Sequence, residues 1–214
     1  QHGIDFMLDM VLNHCSIEHE WFQKALAGDS YYQDFFILRD EPTDWLSKFG
    51  GSAWAPFGDT GKYYLHLYDV TQADLNWRNP NVRQELFKVV NFWRDKGVKG
   101  FRFDVINVIG KDEVLTDCPE QDGKPAYTDK PIVHDYLRMM NEATFGQDDS
   151  FMTVGEMSAT TIENCILYTA PDRQELSMAF NFHHLKVDYE AGQKWTLKAF
   201  DFEELKRLFH TWGK

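Results

Sequence analysis

Four short apolar runs recur along the chain, and each leads into residues of the kind that active sites use. The runs cover residues 4–12, 100–105, 151–156 and 176–182. Short runs rich in apolar, aromatic and β-branched residues predict strands. The first run is apolar at almost every position instead of alternate ones, which predicts a strand buried on both faces, as in a parallel sheet.

Helical patterns separate these strands. The clearest helix is predicted over 80–96, with Asn79 as its cap and Pro80 at its first position. Further helices are predicted at 131–145, 161–169 and 201–212. Strands that alternate with helices indicate a parallel α/β architecture. Because polar residues follow the strand ends, we expect part of a (β/α)8 TIM barrel, with four units where a complete barrel has eight.

Residues 15–79 break the alternation. This segment, called the insertion below, is rich in aromatic residues and in Gly, Asp and Pro, with a short helix predicted at 18–27 and a strand at 63–68. It is far longer than an ordinary βα loop. We therefore expect a small subdomain at 15–79 inserted into a partial barrel made of 1–14 and 80–214. Most of its aromatics are expected to form its own core, and the rest could stack on sugars.

Composition narrows the functional classes. The net charge of −12 argues against nucleic acid and anionic membranes as partners. No run of about 18 apolar residues predicts a membrane span, and no signal peptide is visible. Three cysteines without paired spacing indicate reduced thiols and a cytoplasmic protein. No metal-binding spacing appears, so no metal and no organic cofactor are expected; the oligomeric state stays open.

The run at 100–105 carries the candidate chemistry. Arg102 and Asp104 alternate with apolar residues and should share one face of a strand. A neighbouring guanidinium favours an ionised carboxylate, which suits a nucleophile. Glu156 ends an apolar strand with no base two residues away, which favours the protonated acid. Such a pair fits retaining glycoside hydrolysis, with Asp104 as nucleophile and Glu156 as acid. A structural Arg–Asp pair is the alternative.

The runs ending at Asn13–His14, Asp104 and Glu156 resemble three of the four signature motifs of the α-amylase (glycoside hydrolase 13) family, in the family's order. The resemblance implies that His14 contacts the sugar in the scissile subsite and that the four units are about the third to the sixth of the barrel. The fourth signature, a His–Asp pair that helps to grip the sugar, has no convincing counterpart. The chain also starts at Gln1, not Met, which suggests an internal fragment.

Longer runs resemble one branch of that family. Residues 62–67 and 72–77 are similar to the oligo-1,6-glucosidases, and residues 153–158, 175–189 and 194–197 are more similar to trehalose-6-phosphate hydrolases. The resemblance implies a sugar phosphate as substrate. Four basic residues could then form a cationic group that binds the phosphate: His183, His184, Lys186 and Lys194. The alternatives are an α-glucosidase acting on unphosphorylated sugar, or a non-catalytic scaffold with the same barrel.

Overall fold

The computed structural model describes residues 3–190 and 196–213. Its strands are β1 Met7–Val11, β2 His14–Ser16, β3 Leu38–Arg39, β4 Trp54–Pro56, β5 Tyr63–Leu65, β6 Gln72–Asp74, β7 Gly100–Asp104, β8 Met152–Glu156 and β9 Met178–Phe180. Its α-helices are α1 Glu20–Leu26, α2 Ser30–Gln33, α3 Pro80–Asp95, α4 Pro131–Ala143, α5 Ile162–Thr169 and α6 Phe202–Trp212. Short 3-10 helices lie at Ile106–Val108, Lys124–Ala126, Pro171–Arg173 and His183–Lys186.

One parallel sheet carries the candidate chemistry. Its strands lie in the order β1, β7, β8, β9, each joined to its neighbour by parallel pairing. Helices α3, α4 and α5 lie between successive strands in the sequence, and α6 follows the last one. Because sequence order and spatial order agree, this sheet has the connectivity of consecutive units of a (β/α)8 barrel. The predicted parallel α/β class and the four units are confirmed.

The outer strands are shorter and more exposed than the sequence predicts. β1 covers Met7–Val11 instead of 4–12, and β9 covers Met178–Phe180 instead of 176–182. Ile4 and Phe6 are 72% and 69% exposed, so the prediction that the run at 4–12 is buried on both faces is wrong. Within the part of the chain that the structure describes, β1 pairs with β7 alone in this sheet, which leaves its other edge uncovered.

The helix boundaries follow local capping chemistry. Asn79, Thr161 and Asp201 accept backbone N–H groups at the starts of α3, α5 and α6. Such caps satisfy amide donors that have no partner inside the helix. The predicted starts of these helices are therefore confirmed to within a residue. In α3, Val82, Leu86 and Val90 are buried in the same apolar cluster as Phe101 and Phe103 of the sheet.

The insertion contains two small antiparallel sheets and two helices. β3, β5 and β4 form one sheet, and β2 pairs with β6 in the other. Phe22 of α1 packs edge-to-face against Phe36, Phe57 and Tyr64 at ring-centroid distances of 5.1–5.4 Å. These rings belong to the same apolar cluster as Phe101 and Phe103 of β7. The insertion aromatics are therefore largely core residues, and that core is continuous with the core of the parallel sheet.

A second apolar cluster joins the insertion to the segment after β7. It packs Trp45 against Tyr127, with ring centroids 5.6 Å apart. The Trp45 indole donates to the Thr116 carbonyl at 2.8 Å, and the Cys118 amide donates to the Asp44 carboxylate at 2.7 Å. The segment 111–130 is thereby fastened to the insertion. None of the described helices is long and apolar enough to cross a membrane.

Candidate active site

The end of β7 presents Arg102 and Asp104 away from the apolar core. Phe101 and Phe103 are fully buried, whereas Arg102 and Asp104 are partly exposed on the opposite side of the strand. The shared face predicted from the alternation is confirmed. Directly after Asp104, Val105 has a φ of 39°. Positive φ in a β-branched residue is strained, and strain of this kind concentrates at functional sites.

The Arg102 guanidinium joins carboxylates from three neighbouring strands. Its Nη1 lies 2.6 Å from Asp9 Oδ1 of β1 and 2.7 Å from Asp104 Oδ1 of β7. Its Nη2 contacts Glu156 Oε2 at the end of β8. Burial lowers the pKa of Arg102, but the hydrogen bonds that it donates to Asp9 and Asp104 more than offset this, so the net pKa is raised. The guanidinium is therefore a permanent positive charge at the centre of the site.

This contact corrects one expectation about Glu156. The sequence places no base near it and predicts apolar surroundings, but Arg102 reaches it from the adjacent strand. The register explains the contact, because β7 and β8 are paired with Arg102 opposite Val154, two positions before Glu156. Side chains two apart on a strand point to the same face. The expectation that no basic group lies near Glu156 is therefore wrong.

Gly155 allows the end of β8 to approach its surroundings closely. A Cβ at this position would lie 2.6 Å from Leu176 Cδ1 and 2.7 Å from Met157 Cε. Any larger residue would push these side chains away and shift the strand end. Glu156 itself is only 8% exposed. The absence of a side chain at position 155 therefore helps to fix where the Glu156 carboxylate lies.

His14 lies just beyond the end of β1 and is brought to the same region. It is 6% exposed, and its ring lies 5.3 Å from the ring of Tyr68. Its Nδ1 faces the Asn13 amide and its Nε2 faces the Gln72 amide, each at 3.2 Å. Burial lowers its pKa, while the negative charges of Asp74 and Asp104 act in the opposite direction. A neutral imidazole at this position can donate to, or accept from, a sugar hydroxyl.

A buried ion pair beneath His14 was not predicted. Asp74 and Lys111 are 0% and 5% exposed, and Lys111 Nζ lies 2.8 Å from Asp74 Oδ2. Asn13 links the two, donating to Asp74 at 3.0 Å and accepting from Lys111 at 2.7 Å. The Leu67 amide donates to the second Asp74 oxygen at 2.9 Å. The pair therefore ties the end of β1, the insertion and the segment after β7 together below the candidate site.

The turn after Glu156 is held by the buried side chain of Asn107. Asn107 is fully buried; its amide donates to the Ser158 carbonyl at 2.8 Å, and its side-chain oxygen accepts the Ser158 amide at 2.8 Å. Asn107 also donates to Asp129 at 2.9 Å. A two-point clamp of this kind fixes the backbone two residues beyond Glu156. Neither Asn107 nor Ser158 has a sequence signal that distinguishes it from an ordinary loop residue.

The predicted cationic group is only partly brought together. His183 packs against Trp212 with ring centroids 4.9 Å apart, and His184 against Phe209 at 6.0 Å. Burial, Lys186 and His184 lower the pKa of His183. Lys186 ends the same 3-10 helix and is exposed. Lys194 lies outside the described residues. Within the described chain, neither histidine has a polar contact with Asp104 or Glu156.

A separate cavity of about 370 Å³ lies between the insertion, the segment after β7 and α4. Its lining includes Trp77, Arg78 and Tyr136, and neither Asp104 nor Glu156 is among the residues that line it. Across residues 3–190 and 196–213, no group of three or more His, Cys, Asp and Glu side chains could hold a metal ion.

Comparison with known proteins extends this picture. The family model described as the alpha-amylase catalytic domain matches residues 1–214. The trehalose-6-phosphate hydrolase of Bacillus subtilis (strain 168) is 53% identical over 213 residues, which cover 96% of this chain and 38% of that protein. The corresponding Escherichia coli (strain K12) enzyme is 52% identical, with 98% of this chain and 39% of the enzyme covered. An oligo-1,6-glucosidase of Parageobacillus thermoglucosidasius is 43% identical, with 99% and 40% covered.

Solved structures agree with the sequence comparison. The crystal structure of Bacillus licheniformis trehalose-6-phosphate hydrolase superposes with a TM-score of 0.92 at 53% identity, covering 98% of this chain and 39% of that one. The isomaltulose synthase of Klebsiella sp. LX3 gives a TM-score of 0.91 at 32% identity, covering 98% and 39%. The chain thus spans about two fifths of the length of these relatives, and its sheet is part of a TIM barrel. The chain belongs to the alpha-amylase family and represents part of that family's catalytic domain.

Proposed function

We propose that this chain is part of a retaining α-glycoside hydrolase that converts trehalose 6-phosphate to glucose and glucose 6-phosphate. The observation that carries the reaction class is the pair of carboxylates, Asp104 and Glu156, bonded to one guanidinium at the ends of adjacent strands. Bridging by one guanidinium suits the short separation of about 5–5.5 Å between carboxyl groups in retaining enzymes. The choice of substrate is supported by 52–53% identity to trehalose-6-phosphate hydrolases, against 43% to an oligo-1,6-glucosidase.

In the first step, an Asp104 oxygen attacks the anomeric carbon as the glycosidic C–O bond breaks. Glu156 gives its proton to the departing oxygen, so glucosyl-Asp104 forms and the second sugar leaves. In the second step, Glu156 takes a proton from water, the water oxygen attacks the anomeric carbon, and Asp104 is released. Arg102 contacts Glu156, so the acid role of Glu156 requires that bound substrate weaken this contact.

The remaining residues orient the two carboxylates and the sugar. Arg102 donates a hydrogen bond to Asp104 and orients its carboxylate, and a further bond to Asp9 anchors the guanidinium to β1. His14, held by Asn13 and Gln72, hydrogen-bonds to a hydroxyl of the sugar that is transferred to Asp104. For the phosphate, Lys186 and Lys194 remain the proposed ligands. The ring packing of His183 and His184 on α6 supports a role in placing that segment more than direct phosphate contact.

The second candidate function is hydrolysis of unphosphorylated α-glucosides, supported by the 43% identity to an oligo-1,6-glucosidase. A non-catalytic scaffold is disfavoured, because Asp104, Glu156 and Arg102 are all present and in contact. The deciding measurement is kcat/KM of the complete enzyme on trehalose 6-phosphate and on isomaltose. We expect the phosphorylated disaccharide to be preferred by at least about tenfold. Preference for isomaltose would establish the second function instead.

Variants of the complete enzyme test the two roles. Asp104→Asn should abolish accumulation of a glycosyl-enzyme detected by mass spectrometry after rapid quenching. Glu156→Gln should lose far more rate on substrates with poor leaving groups than on activated aryl glucosides, because only the former need proton donation. Equal losses on both substrate types would contradict the acid role of Glu156.

A further inference from the structure

Lys48 extends from the insertion toward the turn that follows Glu156. Its Nζ donates to Ser158 Oγ at 2.6 Å, and Ser158 lies two residues beyond the proposed acid. The backbone that carries it is fixed, because the Lys48 amide donates to the Leu67 carbonyl at 2.9 Å and the Ser47 hydroxyl donates to the Tyr68 carbonyl at 2.6 Å. The ammonium group is thus held beside the candidate site by its hydrogen bond to Ser158.

Lys48 has no carboxylate partner among the residues that the structure describes, where ion pairs reach to 4.0 Å. This separates it from nearby lysines: Lys111 pairs with Asp74 at 2.8 Å and Lys124 pairs with Asp122 at 2.9 Å. A largely buried cation without a counter-charge is costly in a folded protein. In a chain of net charge −12, a lysine held in this way is a candidate ligand for an anion.

Aromatic faces and hydroxyls complete the surroundings of the ammonium group. Lys48 Nζ lies 5.8 Å from the ring centroid of Tyr68 and 5.4 Å from that of Tyr127. Both tyrosine hydroxyls are buried and have no well-aligned hydrogen-bond partner among the described residues. Tyr68 also packs against His14, the proposed ligand of the transferred sugar. The ammonium therefore lies near the ring that packs on His14 and bonds to the turn that follows Glu156.

The charges around Lys48 favour an anion as well. Burial is the main reason that its pKa falls to about 8, and the positive charges of Lys124, Lys186 and Lys111 lower it further. Asp74 acts in the opposite direction. Burial raises the pKa values of Tyr68 and Tyr127, so both are neutral donors. An anion that enters this cluster would raise the pKa of Lys48 again and relieve the repulsion among the lysines.

We propose that Lys48, together with the Ser158 hydroxyl, binds the phosphate group on the leaving sugar and so determines preference for a phosphorylated substrate. The inference rests on the proposed function, because it needs a phosphorylated disaccharide in this site. The geometry assigns the phosphate to the leaving side, since Glu156 protonates the departing oxygen and Ser158 lies just past Glu156. Lys186 acts on Lys48 through its charge, whereas Lys48 is the lysine whose backbone is fixed within the insertion.

The test uses the complete enzyme with Lys48→Met, Lys48→Arg and a matched control, Lys62→Met. Lys62 is an exposed lysine of the same insertion that lines the separate cavity, so its replacement makes the same change in net charge. Initial rates are measured on trehalose 6-phosphate and on an uncharged aryl α-glucoside. Product inhibition by glucose 6-phosphate and by glucose is measured in parallel, as a binding readout that does not depend on turnover of the phosphorylated substrate.

Losing one charged hydrogen bond to phosphate corresponds to about ten- to a hundredfold in binding. We therefore expect Lys48→Met to raise KM for trehalose 6-phosphate by that factor, and to lower selectivity over the aryl glucoside by at least about tenfold. Inhibition by glucose 6-phosphate should weaken in parallel, while inhibition by glucose should not. Lys48→Arg should retain most of the selectivity because it keeps the charge, and Lys62→Met should leave it within about twofold.

The outcomes separate the two proposals. If wild-type enzyme does not hydrolyse trehalose 6-phosphate, the proposed function is wrong and this inference falls with it. If wild-type enzyme hydrolyses it but Lys48→Met matches Lys62→Met on all measurements, the function stands and Lys48 does not bind phosphate. If Lys48→Met and Lys48→Arg lose activity equally on both substrates, Lys48 is structural, and the inference is again overturned.

Discussion

Separating the buried Asp74–Lys111 pair should destabilise the enzyme by several kcal/mol. With 2.8 Å between Lys111 Nζ and Asp74 Oδ2 and an effective dielectric constant of about 20, the attraction is about 6 kcal/mol before desolvation is subtracted. Removing one partner leaves the other charge buried, at a cost of about 3–5 kcal/mol. Asp74→Asn and Lys111→Met should each reduce the free energy of unfolding by that amount.

The double variant distinguishes an ion pair from two independent packing positions. The double variant leaves no unpaired charge. Its loss of unfolding free energy should therefore be smaller than the sum of the losses in the two single variants by at least about 1.5 kcal/mol. The assay is urea unfolding of the complete enzyme, followed by tryptophan fluorescence and by residual activity. The exposed pair Glu85–Lys88 in α3, 2.6 Å apart, is the control and should show coupling of about 0.5 kcal/mol or less. Additive costs at Asp74 and Lys111, within about 0.5 kcal/mol, would refute the reasoning.

Three further outcomes are expected. KM for trehalose 6-phosphate should rise between pH 7 and 9 as Lys48, with a pKa of about 8, loses its charge. The substrate phosphate, with a second pKa of about 6, stays dianionic over this range. The same rise in the Lys48→Arg variant would contradict this origin. Lys186→Ala or Lys194→Ala should raise the same KM by about one to two decades, and added salt should weaken binding of the phosphorylated substrate more than that of a neutral one. In the described residues, β1 and β9 each pair with one strand of the parallel sheet. The 214-residue chain on its own should therefore be poorly soluble or molten by size-exclusion chromatography and near-UV circular dichroism, and should have no measurable turnover.

Much of the parallel sheet could be predicted because its information is local. Alternation around Arg102 and Asp104 determines which side chains share a face, and caps at Asn79, Thr161 and Asp201 determine where three helices begin. These features depend on residues within a few positions of one another. The predicted site at the strand ends then follows from the geometry of parallel βα units.

The contacts between elements could not be predicted in the same way. Arg102 reaches Glu156 because of the register between β7 and β8, which neither strand encodes by itself. Asp74 ends β6 in the insertion and Lys111 lies in the segment after β7, and nothing near either residue in the sequence indicates that they pair. The sequence around Lys48 does not distinguish it from an ordinary surface lysine, and only the folded insertion brings it to Ser158. The exposure of β1 depends on what lies beside its free edge.

The continuity of the insertion with its surroundings has a consequence for protein engineering. Exchanging residues 15–79 between relatives looks like a simple way to transfer specificity, because the segment begins and ends close to the barrel. The exchange would nevertheless replace Trp45 and Asp74 without their partners, because Tyr127 and Lys111 lie after β7. A functional chimaera would need to carry the segment 111–130 from the same donor. In this protein the unit of recombination is the insertion together with that distant segment.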